Sequence, residues 1–237
     1  GPSTTAVQVA SVAHQTGKKQ VLSETFALCG WDVSFEELKQ IYEWQMVRGI
    51  NLLCQHLEGY SLRGIRKRDY PATLFYQQPW WSEYRKLNDV FSRLGMLLSE
   101  GKVKFETLVV HPMSSAWICF NNKDNGLLRE LDEKFMQTIH SLEENQIQYD
   151  LGDERIMQLH GSVTGNVLNV GQMSYRVVLV PDALNLAPET VDLLEQFQAN
   201  GGKIIFSERI PEMVGGEPSD RVKQLAEKCL ITDSLQA

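Results

Sequence analysis

Two side chains capable of acid–base or nucleophilic chemistry sit at the ends of short apolar runs. Val21 and Leu22 lead through Ser23 to Glu24, where a strand would open into the loop from Thr25 to Asp32. The run from Ile50 to Gln55 (INLLCQ) stops in the same way at His56. Carboxylates at the C-terminal ends of strands face the mouth of a β/α barrel, where catalytic groups collect. An imidazole ending the next strand would point into the same mouth and could hydrogen-bond through either ring nitrogen. Each residue also has an ordinary structural use: Glu24 in an ion pair, His56 as a satisfied framework histidine.

Other residues frame this pair. Trp31, Tyr60, Trp80 and Trp81 fall on expected loops of the mouth side, although Trp81 could equally staple the helix it starts; Trp44, in mid-helix, reads as core. Arg63, Arg66, Lys67 and Arg68 form a basic cluster that reads first as a solvated loop, with ion pairing to Glu58 or Asp69 as an alternative. The histidines (14, 56, 111, 140 and 160) lack metal-ligand spacing such as HxxxH, and no cofactor motif stands out. Cys29, Cys54, Cys119 and Cys229 have no CxxC spacing and read as reduced thiols, which favours a cytoplasmic protein.

The composition narrows the class. An apolar fraction of 43% can fill a core, and the net charge of −7 argues against a nucleic-acid partner, which would want a basic stripe. No apolar run approaches the roughly 18 residues of a membrane span, so no membrane partner is expected. No signal peptide is evident, and the Gly1-Pro2 start reads as a protease scar.

The elements that would carry these residues follow from periodicity and punctuation. A helix is expected over 5–16 with Gly17 as its cap, then a strand over 19–24. Ser34-Phe-Glu-Glu37 is a capping box opening a helix that stops at Gly49. A strand over 50–56, too apolar to face water on either side, is followed by a loop over 57–79 and a helix over 81–99. Starting with a helix that has no strand before it, residues 1–100 look cut from a larger (β/α)8 barrel. Residues 101–237 read as a separate α/β domain, with strands at 105–110, 147–151, 176–180 and 203–206. Helices are expected at 126–145, 154–160 and 188–199, and a strand over 163–170 entering a hairpin at Gly171. That alternation implies a doubly wound parallel sheet.

Two stretches carry a resemblance. The segment from Ser11 to Trp81, with SETFALCGWD, RKRDYP and PWW, resembles the end of the barrel in bacterial glycoside hydrolases of the α-L-rhamnosidase type. It is more distantly similar to β-galactosidases that carry a trimerisation domain. The stretch DLGDERIM with VGQMSYRVVLVPDALNLAPETVDLLEQFQANGGKIIFSERIP resembles the glutamine-amidotransferase-like domain that follows such barrels. The resemblance implies a hydrolase acting on rhamnoside- or galactoside-like glycosidic bonds, with Glu24 as one of two catalytic carboxylates. Its proton donor would lie on an earlier strand, so the chain alone should be inactive. It further implies that Trp31, His56, Tyr60, Trp80 and Trp81 bind the carbohydrate substrate. Contact with an acidic sugar is the remaining reading of the basic cluster. The partners implied are the remainder of the barrel and further copies in a homo-oligomer, with calcium held in some parents of this type. Amidotransferase chemistry needs a cysteine at a glycine-flanked elbow. Cys119 in AWICFNN and Cys229, expected in a terminal helix, lack those flanks, so the second domain reads as non-catalytic.

An alternative from a different class is a non-catalytic oligomerisation or interaction module of a carbohydrate-active protein. A stand-alone flavodoxin-like protein leaves the aromatic loop over 57–81 without a purpose.

Overall fold

The computed structural model describes residues 2–68 and 73–232. Asp69, one candidate partner of the basic cluster, lies outside the described residues, as does the side chain of Arg66. The chain forms two compact units, Pro2–Ala13 with Lys18–Lys102, and His14–Gly17 with Val103–Ala237.

In the first unit, α1 (Pro2–Thr16) buries Ala6, Ala10 and Ala13, small residues three or four apart on one face. Two strand–helix units follow: β1 (Leu22–Thr25), α2 (Phe35–Met46), β2 (Leu52–Gln55) and α3 (Tyr84–Ser99). β1 and β2 are adjacent and parallel, with Leu22 opposite Leu52 and Thr25 opposite Gln55. The capping box starts α2: Ser34 Oγ accepts from Glu37 N at 3.2 Å, and Glu37 Oε2 accepts from Ser34 N at 2.8 Å. Those bonds to Ser34 hold the Glu37 carboxyl below its usual range. α2 buries Leu38, Tyr42 and Met46, each four residues apart. Trp44, two residues and roughly 200° beyond Tyr42, is on the outer face instead of the expected core; it is 39% exposed, with the Arg48 guanidinium 4.2 Å over its ring. α3 turns Tyr84, Leu87, Phe91 and Gly95 inward, and Tyr42 meets Phe91 edge to face at 4.7 Å.

In the second unit the order is β3 (Thr107–His111), α4 (Met113–Cys119), α5 (Gly126–Glu144), β4 (Tyr149–Asp153), α6 (Glu154–His160), β5 (Gly161–Thr164), β6 (Val167–Val170) and β7 (Met173–Tyr175). β8 (Val177–Val180), β9 (Asn185–Leu186), α7 (Pro188–Ala199), β10 (Lys203–Phe206), β11 (Met213–Val214), β12 (Glu217–Pro218), α8 (Arg221–Ala226) and β13 (Leu230–Ile231) complete it. The main sheet runs β13-β10-β8-β3-β4, every pairing parallel, so all four expected strands share it. Leu108, Val109 and Val110 are wholly buried, and Val178 to Val180 nearly so, which is why these runs read as continuous and not alternating.

The stretch 163–170 is not one strand. Gly165, at φ +56, turns the chain, and β5, β6 and β7 form an antiparallel meander. Cys229 lies past the end of α8, not within it. The small sheet β12-β11-β9 was not expected, because strands of two residues are too brief to show a period, and neither was the short helix α4.

Gly95 supplies a test of the packing between α3 and the start of β2. A Cβ there would lie 2.5 Å from the Asn51 carbonyl oxygen, a backbone atom that cannot rotate away. Alanine should gain about 1 kcal/mol of helix propensity, yet overpacking costs about 1–3 kcal/mol. Gly95→Ala is expected to lower the thermal midpoint by a few degrees; a higher midpoint would show that α3 does not approach β2 so closely.

Candidate functional site

Strand alternation decides which side chains of β1 and β2 share a face. Thr25 and Gln55 point toward the helices: Gln45 Nε2 of α2 donates to Thr25 Oγ1 at 2.8 Å, and Tyr84 Oη of α3 donates to Gln55 Oε1 at 2.5 Å. Their even-numbered neighbours Leu22, Glu24, Leu52 and Cys54 therefore share the opposite face. Leu22 and Leu52 are exposed on it, although each is a large aliphatic residue in a strand.

At the C-terminal ends of the two strands, His56 Nε2 stands 3.7 Å from Glu24 Oε1. The histidine side chain is 17% exposed and the glutamate 59%. His56 is tied to β1 through its backbone, His56 N donating to Thr25 O at 2.8 Å. Immediately after β1 the chain takes a left-handed backbone at Phe26 (φ 72) and again at Leu28 (φ 59). Such a conformation costs a non-glycine residue on the order of 1–3 kcal/mol. Burial of the Phe26 ring, 6.3 Å from Phe91, offsets that cost and turns the chain sharply away from Glu24.

The aromatic candidates divide. Trp80 donates its Nε1–H to Val33 O at 3.1 Å and packs at 5.2 Å against both Phe35 and Tyr84, while Trp81 stacks on Tyr84 at 5.5 Å. Both rings are thus bound into the first unit's core edge. Trp31 and Tyr60 stand out in solvent, Tyr60 at 96% exposure. The structure brings Glu24 and His56 together and gathers Trp80 and Trp81 around Tyr84. Tyr84 and Gln55 were not singled out from the sequence, where a tyrosine at helical spacing reads only as core. Among the described residues no cluster of three or more His, Cys, Asp or Glu side chains could hold a metal ion, so no calcium ligand set is assigned.

The second unit carries its own polar groups. His111 ends β3 opposite Asp153 at the end of β4, beside the crevice where doubly wound sheets bind ligands. Burial pushes the His111 imidazole below its usual range, with the Asp153 charge opposing the shift. Cys119 is buried at the end of α4, and burial pushes its thiol up against the pull of Arg209. A thiol so placed is held in its unreactive protonated form. Asp150, 1% exposed, accepts from Tyr175 Oη at 2.8 Å and pairs with His14 Nδ1 at 2.8 Å, a satisfied buried network.

No family model matches the chain. Among curated proteins it is 26% identical over 207 residues to one named putative beta-glucuronidase from Formosa agariphila, covering 84% of this chain and 16% of that protein. Among solved structures it superposes on the rhamnosidase from Novosphingobium sp. PP1Y with a TM-score of 0.61 at 15% identity, over 92% of this chain and 20% of that one. The β-galactosidase from Bacillus circulans sp. alkalophilus gives 0.56 at 14% identity, over 90% and 31%. Gan42B, a GH42 β-galactosidase, gives 0.56 at 13%, over 86% and 30%. The chain therefore spans less than a third of each of these proteins. At such identities the structural likeness is one of fold. That fold is α/β and glycoside hydrolase-like: C-terminal strand–helix units of a TIM-type barrel, then a doubly wound parallel-sheet domain.

The half-buried His111 sets a pH dependence. Its folded pKa lies below the unfolded value of about 6.5, so the unfolded state takes up the proton first and stability is lost as pH falls below that value. The urea midpoint of the second unit should be lower at pH 5 than at pH 7.5, and the difference should shrink in His111→Gln. An unchanged pH dependence in that variant would mean the imidazole is freely solvated.

Proposed function

We propose that the chain is a fragment of a glycoside hydrolase of the rhamnosidase or galactosidase type, carrying the C-terminal part of its barrel and the domain that follows, with Glu24 as one of its two catalytic carboxylates. The pairing of Glu24 with His56 at two adjacent parallel strand ends, on the face turned away from the helices, carries this reading. The exposed Leu22 and Leu52 on that same face support it, because a barrel lumen is filled by side chains from all eight strands. The remaining strands, and the carboxylic acid that protonates the leaving oxygen, would belong to the rest of the barrel. In a retaining enzyme Glu24 attacks the anomeric carbon, and in an inverting enzyme it takes a proton from the attacking water. His56, and Trp31 and Tyr60 on the neighbouring loops, would contact the sugar, with Trp80 and Trp81 shaping the wall behind. The second unit is non-catalytic, in keeping with its buried, protonated Cys119. The exposed Trp117, Ile118 and Phe120 at α4 support a role for that unit in assembly.

In the full-length protein Glu24→Gln should retain the fold and sugar binding but lose roughly a thousandfold or more in turnover, since it removes the charge that stabilises an oxocarbenium-like transition state. Retention of more than about a tenth of wild-type turnover would make Glu24 a structural carboxylate. The 237-residue chain by itself should show no turnover.

A second reading concerns the sugar. Arg63, Lys67 and Arg68 are exposed on the segment that follows β2, and the curated relative is named for a glucuronide. Both support a substrate with a carboxylate, since a guanidinium pairs with one bidentately. Arg63→Ala with Arg68→Ala should raise KM for an aryl glucuronide about tenfold and leave KM for the matching neutral glycoside within twofold. Equal effects on both substrates would remove the acidic-sugar reading.

A further inference from the structure

We propose that Thr25 and Gln55 are positioning residues for Glu24 and His56, acting through hydrogen bonds to the helices behind the strands; this rests on the reading of Glu24 as catalytic. Each is the neighbour of a site residue, on the opposite face of its strand. Thr25 is a node with two roles: its side chain accepts from Gln45 Nε2 at 2.8 Å, and its carbonyl accepts from His56 N at 2.8 Å. It is buried, and it precedes the left-handed turn at Phe26, so the strand end has little freedom to rotate.

Gln55 is held from the other helix and from both ends of its amide. Burial, reinforced by the charge of Glu58, keeps the Tyr84 phenol protonated well beyond the ordinary tyrosine range. Tyr84 Oη therefore donates to Gln55 Oε1 at 2.5 Å, which leaves Gln55 Nε2 to donate to Asn88 Oδ1 at 2.5 Å. The donors run one way along this chain, from Tyr84 Oη through the Gln55 amide to Asn88 Oδ1. Rotation of the Gln55 backbone would break both bonds and tilt His56, the next residue. A site whose reacting groups are held by locked partners behind them keeps its geometry without cost at the moment of reaction. A displacement of about 1 Å can cost up to a hundredfold in rate.

The test uses the full-length protein and three variants measured beside Glu24→Gln. Thr25→Val keeps the side chain's shape and deletes the acceptor, Thr25→Ser restores the hydroxyl, and Tyr84→Phe removes only the phenol donor. Thr25→Val and Tyr84→Phe should each lower kcat about tenfold with KM within twofold, and Thr25→Ser should return kcat to within about threefold of wild type. The same ordering should appear as displaced His56 ring resonances in NMR spectra of the 237-residue chain, read well below its thermal midpoint, so a poorly active variant can be told from an unfolded one. If Glu24→Gln abolishes turnover while Thr25→Val and Tyr84→Phe leave kcat and the His56 resonances unchanged, the positioning proposal is overturned and the catalytic reading stands. If Glu24→Gln keeps its turnover, the catalytic reading falls and the positioning proposal falls with it.

Discussion

The parallel register between β1 and β2 is the constraint on which the site depends, because a strand's side chains alternate and a slip by one residue would turn Glu24 into the helices. Asn51 sets that register. Its side-chain oxygen accepts from Val21 N and its amide donates to Lys19 O, each at 2.8 Å, while Val21 O accepts from both Asn51 N and Leu52 N at 3.0 Å. One residue thus grips the other strand's backbone before β2 begins. Gly95 permits this from behind, since any side chain there would push on the Asn51 carbonyl. From that start the two strands run in step to their ends, and the separation of Glu24 and His56 follows.

The helices complete the arrangement. α2 and α3 do more than cover the strands with apolar surface; each sends an amide or hydroxyl to the strand residue beside a site residue. Polar groups at a helix–strand boundary are costly when unpartnered, and here each finds its partner at the level of the site. The aromatic wall of Phe35, Trp80, Trp81 and Tyr84 is also in part a support for the Tyr84 hydroxyl, whose ring position it fixes.

The second unit solves a different problem. Its central strands β3, β4 and β8 are largely buried on both faces, and the buried carboxylates of Asp150 in β4 and Glu154 at the start of α6 accept from Tyr175 Oη and Ala187 N. Ser115 shows the same economy: its hydroxyl accepts from Leu184 N and Asn185 N at 3.0 Å and donates to Asn185 O at 2.9 Å, pinning the loop after β8. Ser115 of α4 thus holds the loop between β8 and β9.

Much of this was legible in the residues themselves. The capping box named the start of α2, the apolar runs named the parallel strands, and the strand-end positions singled out Glu24 and His56, because these signals are local and repeat with the period of the element. Trp44 was misjudged since its face is set by where α2 meets β1 and β2, information absent from a single tryptophan. The strand expected over 163–170 failed at Gly165, where a turn of two residues interrupts an alternation that still reads as continuous. The roles of Asn51, Thr25, Gln55 and Tyr84 could not be read at all, for an amide or hydroxyl has the same sequence signature whether it is solvated or bonded across thirty residues. Chain-local physics determined the elements and which residues end the strands. Only tertiary structure decided what stands behind those ends, because register and hydrogen-bond partnership between distant segments exist only once the segments have packed.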